Sequence, residues 1–363
     1  MDSRAAASPA DWVLHVDLDQ FIAAVEVARR PELRGLPVIV GGAGDPTKRA
    51  VVATASYEAR EFGIKSGMPL RVAARRCPEA VFLPSDPPAY EEVSARVMAT
   101  LRDFPAVVEL MGWDEAFMGV HTDAPEAMAA DIRQAVTAET GLSCSVGIGD
   151  NKLRAKLATG FAKPAGVYRL TKDNWVAVMA GRPTGALWGI GPKTSRKLSE
   201  MGLATVGDLA AADPAELAGR FGPTMGPWFR VLAHGYGDTE VVGTPYVARS
   251  RSRETTFQED LTDRAAIDAQ IRTLAERVAA DVAAEGRPAV RVAVKVRFKP
   301  FFTQTRSVTL QAPTSDVRDI ERVALAVLDR FELDRPVRLL GVRAEFGHAD
   351  RAAAERVPEP GEP

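Results

Sequence analysis

Apolar and polar residues alternate with two different periods along this chain, and the changes of period mark its elements. An apolar run ends in Val16-Asp17-Leu18-Asp19 and predicts a strand over 13–17, followed by a short helix over 19–29. Residues 37–41 and 51–54 predict two further strands. A helix over 56–62 is stopped by Gly63, and one over 69–76 carries Pro69 in its first turn. Helices over 89–103 and 125–139 flank a second acidic strand region, which contains Trp113-Asp114-Glu115, and 142–148 predicts a core strand. Strands mixed with helices in this way predict an α+β sheet domain to about residue 170.

The pattern then changes. Leu187-Trp188-Gly189-Ile190-Gly191-Pro192-Lys193 predicts a glycine hairpin leading into a helix over 192–201, ended by Gly202. Thr205 predicts an N-cap for residues 206–211, and Phe221-Gly222 separates two more helical segments. Residues 240–252, with Gly243 and Pro245, read as a linker. Beyond it the periods predict strand–helix–strand–strand–helix–strand. Ile267, Ile271, Leu274, Val278 and Val282 share one helix face, and Gly286 is the stop. The strand over 290–299 predicts Val290, Val292, Val294, Val296 and Phe298 on one side, with Arg291, Ala293, Lys295, Arg297 and Lys299 on the other. A helix over 316–331 and a strand over 337–346 complete the pattern; the tails, 1–10 and 348–363, read as disordered.

The length of 363 residues implies more than one domain. An apolar fraction of 46% is enough for a core, and no stretch is apolar enough to span a bilayer. The N-terminus lacks the apolar segment of a secretory signal, and the two cysteines, Cys77 and Cys144, suit a reducing cytoplasm rather than a disulfide framework. Four histidines without ligand spacing argue against zinc. A net charge of −2 argues against indiscriminate polyanion binding but leaves room for a local basic face.

Asp17, Asp19, Asp114 and Glu115 all abut apolar strand sequence. Carboxylates there are costly unless paired or bound to a cation, and oxygen ligands suit Mg²⁺. Two ions about 3.5–4 Å apart would serve in-line phosphoryl displacement; the bland reading is strand-end caps. Tyr57 and Arg60 lie three apart on a helix and could clamp phosphate, as could Lys163 before Pro164-Ala165-Gly166, although each alone reads as an ordinary surface residue. Gly189 and Gly191, with Lys193, resemble a helix-hairpin-helix offering backbone N–H groups to a DNA phosphate, or equally a tight turn that needs glycine. Between Arg287 and Ser315 there is no acidic residue, while Arg249, Arg251 and Arg253 alternate upstream. With Arg291, Lys295, Arg297 and Lys299 they predict a nucleic-acid surface without acidic partners.

Taken in order, V-D-L-D-Q-F, T-A-S-Y-E-A-R-E-F-G-I, W-D-E-A, S-V-G-I-G-D-N-K with A-K-P-A-G, and W-G-I-G-P-K give a chain that resembles the Y-family (translesion) DNA polymerases of the DinB/Pol IV type over about 12–347. The resemblance implies an α+β multidomain, right-hand fold. It would comprise a ferredoxin-like palm (11–22 and 82–170), small fingers (23–81), a helix-hairpin-helix thumb (171–239), a linker (240–252) and a βαββαβ little finger (253–347). It also implies a low-fidelity, template-directed polymerase, monomeric, acting on primer–template DNA and dNTPs. Asp17, Asp114, Glu115 and the Leu18 carbonyl would hold two Mg²⁺, with Mn²⁺ as the alternative ion. Tyr57, Arg60 and Lys163, with Thr54 beside them, would grip the triphosphate; Asp19 would stay outside the metal ligands.

Two departures from the family pattern stand out. Ile22 replaces the aromatic residue that excludes a ribose 2′-OH, which predicts ready use of ribonucleotides unless Phe21 or a backbone shift restores the barrier. The tail His348–Pro363 has no apolar anchor for a sliding clamp, which predicts low processivity. Two other readings fit parts of the pattern: a different two-metal palm enzyme such as a nucleotide cyclase, and a non-catalytic DNA-binding homologue.

Overall fold

The computed structural model describes residues 10–347. The tails expected to be disordered, the second of them also expected to lack a clamp anchor, lie outside the described residues except for Ala10. The chain forms two compact units, divided between Pro245 and Tyr246.

The first unit runs β1 (Trp12–Leu18), α1 (Phe21–Arg29), β2 (Val38–Val40), β3 (Thr54–Ala55), α2 (Tyr57–Glu61), α3 (Leu70–Arg76), β4 (Val81–Leu83), α4 (Pro87–Arg102), β5 (Ala106–Leu110), β6 (Glu115–Val120), α5 (Pro125–Thr140), β7 (Cys144–Gly149), α6 (Lys152–Ala162) and β8 (Val167–Leu170). A helical part follows: α7 (Lys172–Met179), α8 (Pro192–Glu200), α9 (Val206–Ala211), α10 (Pro214–Phe221) and α11 (Met225–Ala233). The second unit is β9 (Ser250–Leu261), α12 (Arg264–Glu285), β10 (Ala289–Phe298), β11 (Phe302–Thr314), α13 (Val317–Leu328) and β12 (Val337–Phe346).

β1 is the middle strand of a five-stranded sheet ordered β5-β6-β1-β7-β8, and it is antiparallel to both neighbours. Its apolar residues face both ways. Leu14, Val16 and Leu18 pack into a core with Tyr90, Val97 and Leu101 of α4 and Ile132 and Val136 of α5. Val13 packs with Phe117 and Ala155 on the opposite face, under α6. There the helix lies directly on the strand: a Cβ on Gly147 would stand 2.0 Å from the Ala155 carbonyl oxygen, and one on Gly149 would stand 2.4 Å from the Ala155 nitrogen. A smaller sheet, β3-β2-β4, carries α2 and α3 around Ile39, Ile64 and Leu70.

Several expected boundaries move, each for a local reason. The first helix starts at Phe21 instead of residue 19, because Gln20 takes a left-handed conformation (φ 44°, ψ 36°) that ends β1 sharply. Of the strand expected over 51–54, only Thr54 is extended in a ladder; Val51 makes an isolated bridge to Pro69. Before the glycine hairpin there is only a 3₁₀ turn, Thr184–Ala186, rather than a full helix. Gly189 has φ 96° and needs glycine, whereas Gly191 has an ordinary φ of −79° and precedes α8. Thr205 caps α9 reciprocally with Asp208, as its position predicts.

In the second unit all four strands, ordered β11-β10-β12-β9, are antiparallel. Ile267, Ile271, Leu274, Val278 and Val282 of α12 are buried against the sheet, with Ile320, Val323 and Val327 of α13. Asp263 caps α12, and Gly286 (φ 67°) ends it. Two sequence expectations are corrected. β9 begins at Ser250, so the last three residues of the expected linker are strand. The strict alternation of β10 also fails at its start: a bulge between Ala289 and Arg291 adds one residue, so Ala289 takes the core position and Val290 is only half-buried.

Candidate active site

The sheet register sets the carboxylates. Asp17 and Glu115 are directly opposite each other across the β1–β6 ladder, and the Leu18 N–H donates to the Asp114 carbonyl at 2.9 Å. Two acids far apart in sequence thus share one strand end because their strands pair. Each has an ammonium partner: Lys163 binds Asp17 and lies 3.4 Å from the Leu18 carbonyl oxygen, and Lys156 of α6 binds Glu115. Burial, followed by the charges of Asp17 and Glu115, pushes the Asp114 carboxyl up. The hydrogen bond from His15, and then Lys156, hold Glu115 down at about 2. The His15 ring is fully buried, which lowers its pKa; Nδ1 lies 2.9 Å from Thr159 Oγ1 and Nε2 lies 3.5 Å from Glu115.

An acidic cluster with hard oxygen donors and one member raised by burial and its acidic neighbours has the chemistry of a divalent-cation site. Among the described residues, however, no three Asp, Glu, His or Cys side chains converge closely enough to hold an ion as they stand. Asp17 and Glu115 are turned to their lysines. The donor set therefore fits a cation by chemistry and register, and it must exchange ammonium partners to close around one.

Asp19 sits apart from these partners and is 2% exposed. It accepts hydrogen bonds from the Tyr57 hydroxyl (3.1 Å), Ser143 Oγ (2.9 Å), Ser145 Oγ (2.9 Å) and the Ala165 N–H (2.9 Å). Tyr57 opens α2, its phenol pushed up by burial and by Asp19. The Arg60 guanidinium lies 5.0 Å from the Tyr57 ring centroid, and its Nε donates to the Ala55 carbonyl at 2.9 Å. Tyr57, Arg60 and Lys163 are thereby linked through Asp19 and the loop after α6. Thr54 lies in β3, at the foot of the same segment. Ile22 is half-buried in the first turn of α1, while Phe21 is only 3% exposed and belongs to the core.

An open groove of about 650 Å³ runs from Asp17 past Lys156, Lys163 and Trp188 to Gly189 and Gly191. Asp17 and the glycine hairpin therefore border one space. Lys193 is exposed on α8 beside it.

The basic residues of the second unit depart from expectation. They do have acidic partners: Arg251 with Glu285 (2.8 Å from Nε), Arg253 with Asp281 (2.6 and 2.7 Å), Lys295 with Glu254 (2.8 Å), Arg291 with Glu345 (3.7 Å) and Lys299 with Asp260 (3.9 Å). These acids come from other strands and from α12, so the acid-free stretch of sequence did not reveal them. Nor do the cations form one face. Arg251 and Arg253 pair in register with the buried Ala344 and Val342 and reach α12, whereas Lys295 lies beside Gly341 and Glu254 on the opposite face. Arg249 is exposed at the start of this segment, and Arg297 bonds Thr303.

Sequence reasoning missed His15, Gln20, Lys156, Thr159, Ser143 and Ser145. Alternation held a usable signal for some of them: His15 is two residues from Asp17 on β1, and Ser143 and Ser145 are two apart beside Asp19. The helical partners had no such mark.

Comparison with known proteins matches most of the chain. The impB/mucB/samB family model matches residues 16–160, and the model of that family's C-terminal domain matches 248–351. A protein of Mycobacterium tuberculosis named DNA polymerase IV 2 is 54% identical over 339 residues, covering 92% of this chain and 98% of its own. A DNA polymerase IV of Methanoculleus marisnigri is 43% identical, covering 91% and 93%. Among solved structures, a Y-family DNA polymerase chimera of Dbh and Dpo4 superposes with TM-score 0.83 over 93% of this chain and 100% of its own, and DinB from Sulfolobus solfataricus with 0.64 over 92% and 98%. Both are 24% identical to this chain, so they speak for the fold. The family models and the full-length relatives together establish that this chain belongs to the impB/mucB/samB family, as a DinB-type Y-family, DNA-directed DNA polymerase.

Proposed function

We propose that the chain extends a primer on a template at low fidelity, as in translesion synthesis, by nucleotidyl transfer at Asp17, Asp114 and Glu115. The observation that carries this is the register pairing of Asp17 with Glu115, beside Asp114, with Asp17 lining a groove that continues to the glycine hairpin. Residues 11–22 and 82–170 act as palm, 23–81 as fingers, 171–239 as thumb and the second unit as little finger.

Divalent cations, Mg²⁺ by preference, would be held by the three carboxylates and the Leu18 carbonyl; they supply activation of the primer 3′-OH and neutralisation of the triphosphate and the leaving pyrophosphate. Lys163, already beside the Leu18 carbonyl, turns to a phosphate oxygen as it leaves Asp17. Tyr57 and Arg60 bind the β and γ phosphates, the guanidinium taking two oxygens at once. Gly189 and Gly191 offer backbone N–H groups to a primer-strand phosphate, with Lys193 adding charge. Basic side chains on the open face of the second unit, Lys295 and Arg291 among them, track the duplex backbone once they trade their acidic partners for phosphate.

Ile22 is the residue under the incoming sugar, so exclusion of a 2′-OH is weak and ribonucleotides are substrates. The burial of Phe21 supports this, because a ring in the core is not available to take over the exclusion. Primer extension with dNTPs and rNTPs tests both parts. Template-directed extension that Asp114→Ala abolishes supports the reading, and extension undiminished in that variant overturns it. Strong rejection of ATP opposite a template thymine would remove the ribonucleotide part alone.

A further inference from the structure

Three observations single out the dipeptide between β1 and α1. Gln20 has φ 44° without being glycine, a left-handed conformation that disfavours a residue carrying a Cβ. Its side chain does not cap its own helix; instead Oε1 accepts from the Tyr57 backbone N–H at 2.5 Å, the first orphan donor of α2. The adjacent Asp19 carboxylate, fully surrounded by donors, takes the Tyr57 hydroxyl on Oδ1 and the Ala165 N–H on Oδ2. Ala165 is another non-glycine residue at positive φ, 49°, two positions after Lys163.

Asp19 and Gln20 therefore grip Tyr57 at both ends, backbone and hydroxyl. Arg60 rests on the ring so held. The same carboxylate fixes the loop that carries Lys163. Segments separated by 37 and 146 residues in sequence meet on two neighbouring side chains. The hydrogen bonds of the two side chains go to Tyr57, Ser143, Ser145 and Ala165.

We propose that Gln20, together with Asp19, is a positioning residue that assembles Tyr57, Arg60 and Lys163 into one triphosphate clamp before nucleotide arrives. This rests on the reading of those three residues as the triphosphate site. Gln20 acts through α2 and touches no phosphate itself. With it in place, the ordering of three separate segments is complete before binding and does not subtract from nucleotide affinity.

The test uses the full chain with primer–template and the complementary dNTP. Gln20→Leu keeps the bulk and removes the acceptor. The expected result is a rise in KM for dNTP of about tenfold, with inhibition by inorganic pyrophosphate weakened by a similar factor. Gln20→Glu, which keeps an acceptor, should restore both to within about threefold of the parent. In an Arg60→Ala background the further cost of Gln20→Leu should fall below about threefold, because the group it positions is gone. If Gln20→Leu does not fold, Gln20→Asn, which suits the left-handed backbone but is one methylene shorter in reach toward the Tyr57 N–H, is read by the same two constants.

Unchanged KM and pyrophosphate inhibition in Gln20→Leu, or losses that multiply in full with Arg60→Ala, overturn the proposal. If Arg60→Ala itself leaves both constants unmoved, the triphosphate reading falls instead; if Arg60→Ala acts and Gln20→Leu does not, only the positioning role falls.

Discussion

The two units handle charge in opposite ways. In the first, carboxylates and ammonium groups meet at a strand end where most of their surface is withdrawn from water: Asp17, Glu115, Lys156 and Lys163 keep between 17 and 25% of their side-chain exposure. In the second, cations on a sheet surface face acids at similar distances, but Arg251, Arg253 and Arg291 keep 45–48%. Geometry is alike and environment is not. A half-buried pair resists solvent screening, whereas an exposed pair exchanges readily for another partner. The first arrangement suits chemistry on a small charged ligand, and the second suits reversible contact with a polyanion.

The sharpest way to break this contrast is to neutralise one charge on the buried side. Glu115→Gln and Asp17→Asn should each lower single-turnover primer extension by about a thousandfold or more, while primer–template still binds in an anisotropy titration. Activity within tenfold of the parent would mean that these acids are merely structural.

A smaller effect is expected at the sugar. Ile22→Phe should raise the ratio of kcat/KM for dATP over ATP by about tenfold or more. An unchanged ratio would place the discrimination elsewhere.

In the second unit the expected change is gentler and depends on salt. Replacing Lys295 and Arg297 together with alanine should lower the slope of log Kd against log salt for primer–template by about two. The same treatment of Arg251 and Arg253, on the opposite face of the sheet, should lower it less. Equal losses from the two pairs would show that both faces meet nucleic acid.

The smallest effect belongs to the pair itself. Asp281→Asn releases Arg253 from a two-bond contact, yet denaturant unfolding should shift by less than about 1 kcal/mol, because the partner is exposed. A larger loss would mean that this pair behaves like the buried ones.

The sequence made the first kind of site far more legible than the second. Asp17, Asp114 and Glu115 interrupt apolar runs, so each one is conspicuous where it stands. The pairing of Arg253 with Asp281 and of Lys295 with Glu254 spans 28 and 41 residues and leaves no local trace. An acid-free stretch therefore looked unbalanced when its balance lay on a helix and a neighbouring strand. The core was legible for the opposite reason: α12 repeats its apolar face from Ile267 to Val282 and outweighs any single residue. Backbone irregularities were hidden, because nothing in the identity of Val290 announces a bulge and nothing in Gln20 announces a left-handed turn. His15 and Lys156 were passed over because a lone histidine and a helix lysine are ordinary until the partner strand brings Glu115 between them.

The bare backbone of β7 beneath α6 has a consequence for how this enzyme could be retuned. With no side chain at Gly147 or Gly149 to act as a spacer, the helix rests on peptide groups, and its height above the sheet is set by atoms that cannot be compressed. Lys156 rides on that helix and Lys163 follows from its end. A single methyl at Gly147 would lift both lysines away from the carboxylates together, altering the catalytic centre from behind without replacing any group that touches a nucleotide.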